Sequence, residues 1–189
     1  MTVRSRAAKQ AVPYAIPHIR ATRWRKLHIG FDAVSGRIVA SVLTDRDVDD
    51  ASQVEPLLDR LAEPVELFLG DGGYDRSGVY TALDERYPDA VIVVPPRADA
   101  VLSATADTEP TQRERHIQVI AGKGRIAWQR DSGYNQRAGV EGQFARWKQV
   151  IGDGLRFHSD QARATEVAIA AQVLNRMLDL GCPNSVRVA

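Results

Sequence analysis

The stretch that decides the fold is VELFLGDGGYD at residues 65–75. Its first five residues predict a strand, because a short apolar run bounded by turn residues is typical of a buried strand. Asp71 follows at the carboxyl end of that strand, where open α/β sheets place ligands and reacting groups. Glycines at 70, 72 and 73 leave room around it. By itself the motif more often marks a structural turn than a site, and Asp75 fits a cap for the next helix.

Strand and helix patterns alternate on both sides of this stretch. The predicted strands cover 24–31, 37–44, 65–69 and 91–94, and the predicted helices cover about 49–63, 76–86, 138–150 and 159–180. Residues 117–120 and 125–128 fit either helices or a strand pair, with a hairpin turn expected at 122–124. The order of elements predicts an α/β fold with a mixed sheet flanked by helices.

Composition and charge exclude several classes of protein. The 189 residues are 44% hydrophobic and 26% charged, as in a globular domain rather than a disordered or collagen-like chain. The one cysteine, Cys182, allows no internal disulfide, and no apolar run is long enough for a membrane span, so we expect a cytoplasmic protein. Residues 1–31 carry seven Lys or Arg and no acid, residues 32–111 carry 6 basic and 17 acidic residues, and residues 112–189 carry 12 and 7. Such basic ends suit contact with phosphates, although ordinary solvated faces explain them equally well.

A second group of polar residues lies in the predicted helix at 138–150 and just before it. Tyr134, Arg137, Glu141 and Lys148 are 3, 4 and 7 residues apart, so on a helix they form one stripe beside an apolar one. Arg137 and Lys148 can hold phosphate oxygens, but an Arg–Glu pair four residues apart is also a common surface ion pair. The carboxylates of Asp71 and Glu141, if they converge, suit a divalent metal ion.

These motifs, in this order, resemble one family. The matching segments are RWRKLHIGFD at 23–32, GDGGYD at 70–75, PPR at 95–97, the spaced Tyr-Arg-Glu-Lys pattern at 134–148, GDGL at 152–155 and VLNRM at 173–177. They are similar to bacterial insertion-sequence transposases of the DDE type, and more specifically to the insertion sequence five group. The resemblance runs from about residue 23 to residue 185.

The resemblance implies a ribonuclease H-like fold with a site for cutting DNA. Asp71 and Glu141 would be the second and third catalytic, metal-binding carboxylates, and Tyr134, Arg137 and Lys148 would contact DNA near the cut. The expected cofactor is Mg²⁺ or Mn²⁺ in a two-metal site. The implied function is DNA transposition: hydrolysis at transposon ends, then attack of the freed 3′-hydroxyl on target DNA. The expected partners are that DNA and a second transposase chain, in a homodimer or an assembly with full-length transposase.

The family's first catalytic Asp has no counterpart in this chain. No Asp or Glu precedes Asp32, which belongs to the hairpin turn and is expected roughly 20 Å from Asp71, at the far end of the sheet. We therefore expect residues 1–22 to be an irregular basic arm, and residues 23–185 to be a truncated ribonuclease H-like transposase catalytic domain that lacks its first strand.

The consequence for activity is a transposase that is weakly active or inactive. An alternative is a DNA-binding remnant that regulates or inhibits full-length transposase. A third interpretation is an unrelated α/β binding protein, in which Asp71 and Glu141 would lie more than about 10 Å apart.

Overall fold

The computed structural model describes residues 10–11 and 25–181, which form a mixed α/β arrangement. The strands are β1 (Gln10–Ala11), β2 (Arg25–Phe31), β3 (Ile38–Asp45), β4 (Leu67–Leu69) and β5 (Val91–Val93). The helices are α1 (Val54–Leu58), α2 (Ser77–Arg86), α3 (Gln112–Lys123), α4 (Arg125–Asp131), α5 (Ala138–Val150) and α6 (Asp160–Leu180). Short 3₁₀ turns cover Ala51–Gln53, Gly72–Tyr74 and Tyr134–Arg137. Within these described ranges, no helix combines the length and apolarity of a membrane span. Apart from β1, the predicted basic arm lies outside the described residues, as does Cys182.

The strands form two sheets rather than the single mixed sheet expected. β4 lies between β1 and β5 and is parallel to both, whereas β2 and β3 form an antiparallel hairpin. β2 of the hairpin lies next to β1. The expectation that the first strand is missing is wrong, because a strand of two residues, β1, pairs with β4. Backbone pairing requires no particular side chain, and the first residue that cannot donate to a strand ladder, Pro13, comes after these two residues.

Helices cover both faces of the sheets. On one face, α1 and α2 pack on β4 and β5 around buried residues such as Phe68 and Leu83. On the other face, α5 and α6 pack on the hairpin around Phe31, Phe144 and Leu174. The rings of Phe31 and Phe144 meet edge to face with centroids 5.4 Å apart. Because α5 buries its apolar stripe in this way, its polar stripe turns away from the core.

α6 runs along β3, the outer strand of the hairpin. The Asn175 side chain accepts a hydrogen bond from the N–H of Ile38 and donates one to its carbonyl oxygen, both at 2.8 Å, as a neighbouring strand would. Unpaired strand edges promote association, and this amide covers one position of the edge. The two ends of α6 are joined to the hairpin by the ion pairs Arg25–Asp160 and Arg37–Asp179.

Residues 112–131 are two helices, so the hairpin turn expected at 122–124 is wrong. α3 begins with a capping box, in which the Thr111 hydroxyl accepts the N–H of Glu114 and the Glu114 carboxylate accepts the N–H of Thr111. Gly124, with φ of +83°, lies between α3 and α4 and allows the chain to change direction without Cβ strain. Thr-x-x-Glu is the sequence signal for this helix start.

Asp32 forms the hairpin turn, as predicted. Its Oδ1 accepts hydrogen bonds from the N–H and the hydroxyl of Ser35, both at 2.6 Å, and the residue is buried. It follows the last residue of β2, so it lies at the end of the hairpin opposite Arg25. Its carboxylate is therefore occupied with holding the turn.

Candidate active site at the carboxyl end of β4

Asp71 follows Gly70 at the end of β4 and caps the 3₁₀ turn after it. Its Oδ1 accepts the N–H of Gly73 at 2.8 Å, and its carbonyl oxygen accepts the N–H of Tyr74 at 3.0 Å. Space favours glycine at 70, because a Cβ there would make tight contacts of 3.1 Å with the side chains of Phe68 and Tyr74. The turn engages Oδ1 and leaves Oδ2 for a partner outside it. Asp71 can therefore be both a turn residue and a site residue.

The other half of the site comes from the chain that enters α5. Gly133, with φ of +74°, leads into the 3₁₀ turn Tyr134–Arg137, and α5 follows with the predicted bounds. Glu141 lies in the first turn of α5, where a negative charge is favoured by the helix dipole. Val140 and Trp147 are buried on the neighbouring side of the helix, which leaves the polar stripe at the boundary between core and surface.

Arg137 contacts both predicted carboxylates. Its Nη2 donates to Asp71 Oδ2 at 3.3 Å, and its Nη1 lies 3.9 Å from Glu141 Oε1. Because both nitrogens belong to one rigid planar group, the nearest oxygens of the two carboxylates lie within about 10 Å of each other. An unrelated α/β binding protein would have Asp71 and Glu141 more than about 10 Å apart, and their nearest oxygens are closer than that. The side chains of Asp71 and Glu141 are 40% and 72% exposed, so ligands can reach them.

Tyr134 lies beside this cluster and packs on Trp128, with ring centroids 5.4 Å apart and planes inclined by 37°. Burial raises the pKa of the Tyr134 hydroxyl; Arg137 and Arg125 lower that pKa, whereas Asp71 raises it. The hydroxyl is therefore protonated at neutral pH and close enough to these charged groups to respond to them. It is available as a hydrogen-bond donor at the edge of the cluster.

Lys148 lies on the same stripe of α5 but outside the cluster. It follows Glu141 by seven residues, about 10 Å along the helix axis. The residue is exposed, and within the described ranges no ion pair joins it to Asp71 or Glu141. Its position suits contact with an extended ligand better than contact with the two carboxylates.

Asp75 is not the helix cap expected from the sequence. Arg76 occupies that position, and the fully buried Asp75 carboxylate instead accepts hydrogen bonds from Arg113 Nε at 2.6 Å and Nη2 at 2.9 Å. It also accepts the N–H of Arg97 at 2.9 Å. This pair joins α3 to the segment that carries Asp71. Sequence reasoning missed Arg113, because a partner 38 residues away produces no local spacing signal.

The donor atoms of the cluster suit a hard divalent cation. Asp71 and Glu141 both offer exposed carboxylate oxygens, which Mg²⁺ prefers as ligands. Across residues 10–11 and 25–181, however, no three His, Cys, Asp or Glu side chains form a group that could hold a metal ion. The pair therefore fits part of a metal site and needs further ligands to complete it.

Comparison with known proteins identifies the family. A profile of the transposase DDE domain matches residues 5–178, nearly the whole chain. A chain in the cryo-EM structure of the simian T-cell lymphotropic virus intasome in complex with PP2A regulatory subunit B56 gamma is similar at 10% identity and a TM-score of 0.39. That match covers 69% of this chain and 48% of the intasome chain, so this chain spans about half of that relative's length. A likeness this distant has no bearing on the fold. The predicted resemblance to DDE transposases is confirmed at the level of the family, which generally uses divalent metal ions, and the chain is a member of the transposase DDE domain family.

Proposed function

We propose that this chain carries the DNA-facing part of a transposase active site of the insertion sequence five group. Asp71 and Glu141 are its second and third catalytic carboxylates. The observation that carries this proposal is the contact of Arg137 with both of them. These two carboxylates would hold Mg²⁺ or Mn²⁺, which in phosphodiester chemistry activates the attacking oxygen and stabilises the leaving one.

The remaining residues of the cluster contact the DNA backbone in this proposal. Arg137 offsets the charge of the two carboxylates and presents further N–H donors to a phosphate. The Tyr134 hydroxyl donates a hydrogen bond to a phosphate oxygen beside Asp71. Lys148, farther along α5, contacts a phosphate away from the cut. The substrates are transposon-end and target DNA, and a second transposase chain completes the assembly.

A ribonuclease H-like fold is part of the same proposal. It is supported by the position of β4 between two parallel strands and by the antiparallel hairpin next to β1. In this arrangement Asp71 lies at the carboxyl end of the central strand of the parallel sheet. We extend the proposal to the domain division, with residues 1–22 as a basic arm that contributes β1 to the sheet and 23–185 as the remainder of the catalytic domain.

By itself this chain cleaves DNA weakly or not at all in our proposal. It has no Asp or Glu before Asp32, whose carboxylate holds the hairpin turn. A three-carboxylate site therefore needs a first carboxylate from outside residues 1–189. The alternative is a DNA-binding regulator of full-length transposase. It is favoured because the cationic side chains of Arg137 and Lys148 can still bind phosphates when the set of catalytic carboxylates is incomplete.

The test compares cleavage and binding on one DNA. The probe is a labelled duplex that carries the sequences flanking this gene, incubated with Mg²⁺ or Mn²⁺ and wild-type protein, Asp71→Asn, Arg137→Gln or Lys148→Gln. We expect salt-dependent binding that Arg137→Gln and Lys148→Gln weaken, with little cleavage. Arg37→Gln is the control for the loss of an arginine, because the Arg37 guanidinium is paired with Asp179 of α6 and not with the cluster. Robust cleavage that is lost in Asp71→Asn would refute the inactivity, and a wild-type protein that does not bind the duplex at low salt would refute the DNA site.

A further inference from the structure

A hydrogen-bonded chain links strand β5 to the indole of Trp128. The indole N–H of Trp128 donates to His116 Nδ1 at 2.9 Å, and His116 Nε2 lies 2.7 Å from the carbonyl oxygen of Ile92. An indole N–H can only donate, so Nδ1 accepts and the proton of the neutral ring is on Nε2, which donates to Ile92. Burial lowers the pKa of His116, which favours this neutral form at pH 7.

Trp128 transmits this constraint to Tyr134. The indole is buried, meets the His116 ring edge to face at 5.4 Å, and lies against the Tyr134 ring at the same centroid distance. The indole cannot rotate without losing its hydrogen bond to His116. Its orientation therefore determines where the Tyr134 ring packs.

The other end of the chain returns to the strands that carry the site. Ile92 pairs with Phe68 in the parallel ladder between β5 and β4, and Asp71 follows Phe68 by three residues. Tyr134 and Asp71 are thus connected through the ladder, an imidazole and an indole, all of which are held by hydrogen bonds or burial.

We propose that His116 and Trp128 are positioning residues that hold the Tyr134 ring beside Asp71 and Arg137, so that its hydroxyl meets a DNA phosphate at a defined place. Neither residue contacts DNA, because Trp128 is 1% exposed and both ring nitrogens of His116 are engaged. The DNA contact of Tyr134 rests on the proposed function. The positioning of the Tyr134 ring by Trp128 and His116 does not depend on that function.

The first readout is independent of DNA. NMR of ¹³C-labelled tyrosine rings reports the position of Tyr134, whose signal is assigned by its loss in Tyr134→Phe. We expect His116→Phe to move that signal towards the position of an exposed tyrosine. His116→Gln should restore it, because an amide can accept from the indole and donate to Ile92. His28→Phe is the matched control, since His28 is also buried but is bonded to Thr44 in the hairpin.

The second readout is a double-mutant cycle in binding to a labelled duplex of random sequence at low salt. His116→Phe should weaken binding about threefold or more, and should have no further effect when Tyr134 is already alanine. An equal loss in both backgrounds would show a merely structural role and overturn the proposal, as would an unmoved Tyr134 signal. If the wild-type protein does not bind the duplex, the proposed function fails, and the tyrosine signal alone decides the positioning. If His116→Phe does not fold, Trp128→Phe replaces it, because it keeps a ring and removes the N–H donor.

Discussion

The buried ion pair between Asp75 and Arg113 provides the sharpest test of the structure. The Asp75 side chain is fully buried, and Arg113 supplies two of its three hydrogen bonds. This bonding to Asp75 raises the pKa of Arg113, so the guanidinium is always charged. Arg113→Met keeps most of the apolar stem and removes the charge, which leaves a buried carboxylate with one backbone N–H.

The expected loss in the free energy of unfolding is large. Removing one partner of a buried ion pair costs about 3–5 kcal/mol, because the remaining charge has no compensation. A domain of ordinary stability has a free energy of unfolding of about 5–15 kcal/mol, so this single change removes a substantial fraction of that free energy. Urea denaturation followed by tryptophan fluorescence measures the loss directly.

Two comparisons separate this explanation from a general effect of losing an arginine. Arg46→Met removes a partner of Asp47 in a pair whose side chains are 67% and 85% exposed, and it should change stability by less than about 0.5 kcal/mol. Adding Asp75→Asn to Arg113→Met should recover about half of the loss or more, because it removes the buried charge and retains an acceptor for Arg97. An Arg113→Met variant as stable as Arg46→Met would refute the reasoning, and so would a double variant no more stable than Arg113→Met.

Three further predictions concern stability. Asn175→Ala removes both hydrogen bonds to Ile38 and should cost about 1–3 kcal/mol by urea denaturation; a loss no greater than that of an exposed substitution would contradict it. Thr111→Ala removes the capping box with Glu114 and should cost about 1 kcal/mol in the same assay, whereas Thr111→Ser should cost little. Burial lowers the pKa of His28 from 6.5 to about 4, so the unfolded chain binds more protons between these values and wild-type stability should fall as pH falls through this window. His28→Gln should flatten that fall in urea denaturation measured from pH 4 to 7, and an unchanged slope would show that His28 is not its source.

Periodicity was sufficient for the two long helices α5 and α6, but not for α1, which covers only Val54–Leu58 where a helix was predicted over about 49–63. The bounds of α5 were predicted to the residue, and α6 begins and ends within one residue of its predicted range, with Ser159 and Gly181 as caps. In both helices, apolar side chains recur at helical spacing and pack on the hairpin, so the pattern in the sequence is the pattern of burial.

The pattern was insufficient between 112 and 131. α3 buries little of its surface, so its apolar residues follow no clear period, and the short apolar runs fitted a strand as well as a helix. The capping box of Thr111 and Glu114 carried the missing signal. Gly124 ends α3 with a positive φ, a conformation shared by helix ends and hairpin turns.

The residues of the candidate site were predictable as two separate groups. Sequence spacing by itself placed Asp71 at a strand end and Arg137, Glu141 and Lys148 on one stripe of a helix, because strand and helix periods are local properties. Only the tertiary structure decided that Arg137 meets Asp71 across 66 residues while Lys148 lies apart from it. It also decided that Asp75 binds Arg113, and that His116 accepts a hydrogen bond from Trp128, whose ring contacts Tyr134. These contacts depend on how α3, α4 and α5 pack against β4 and β5, and packing between distant segments has no period along the chain.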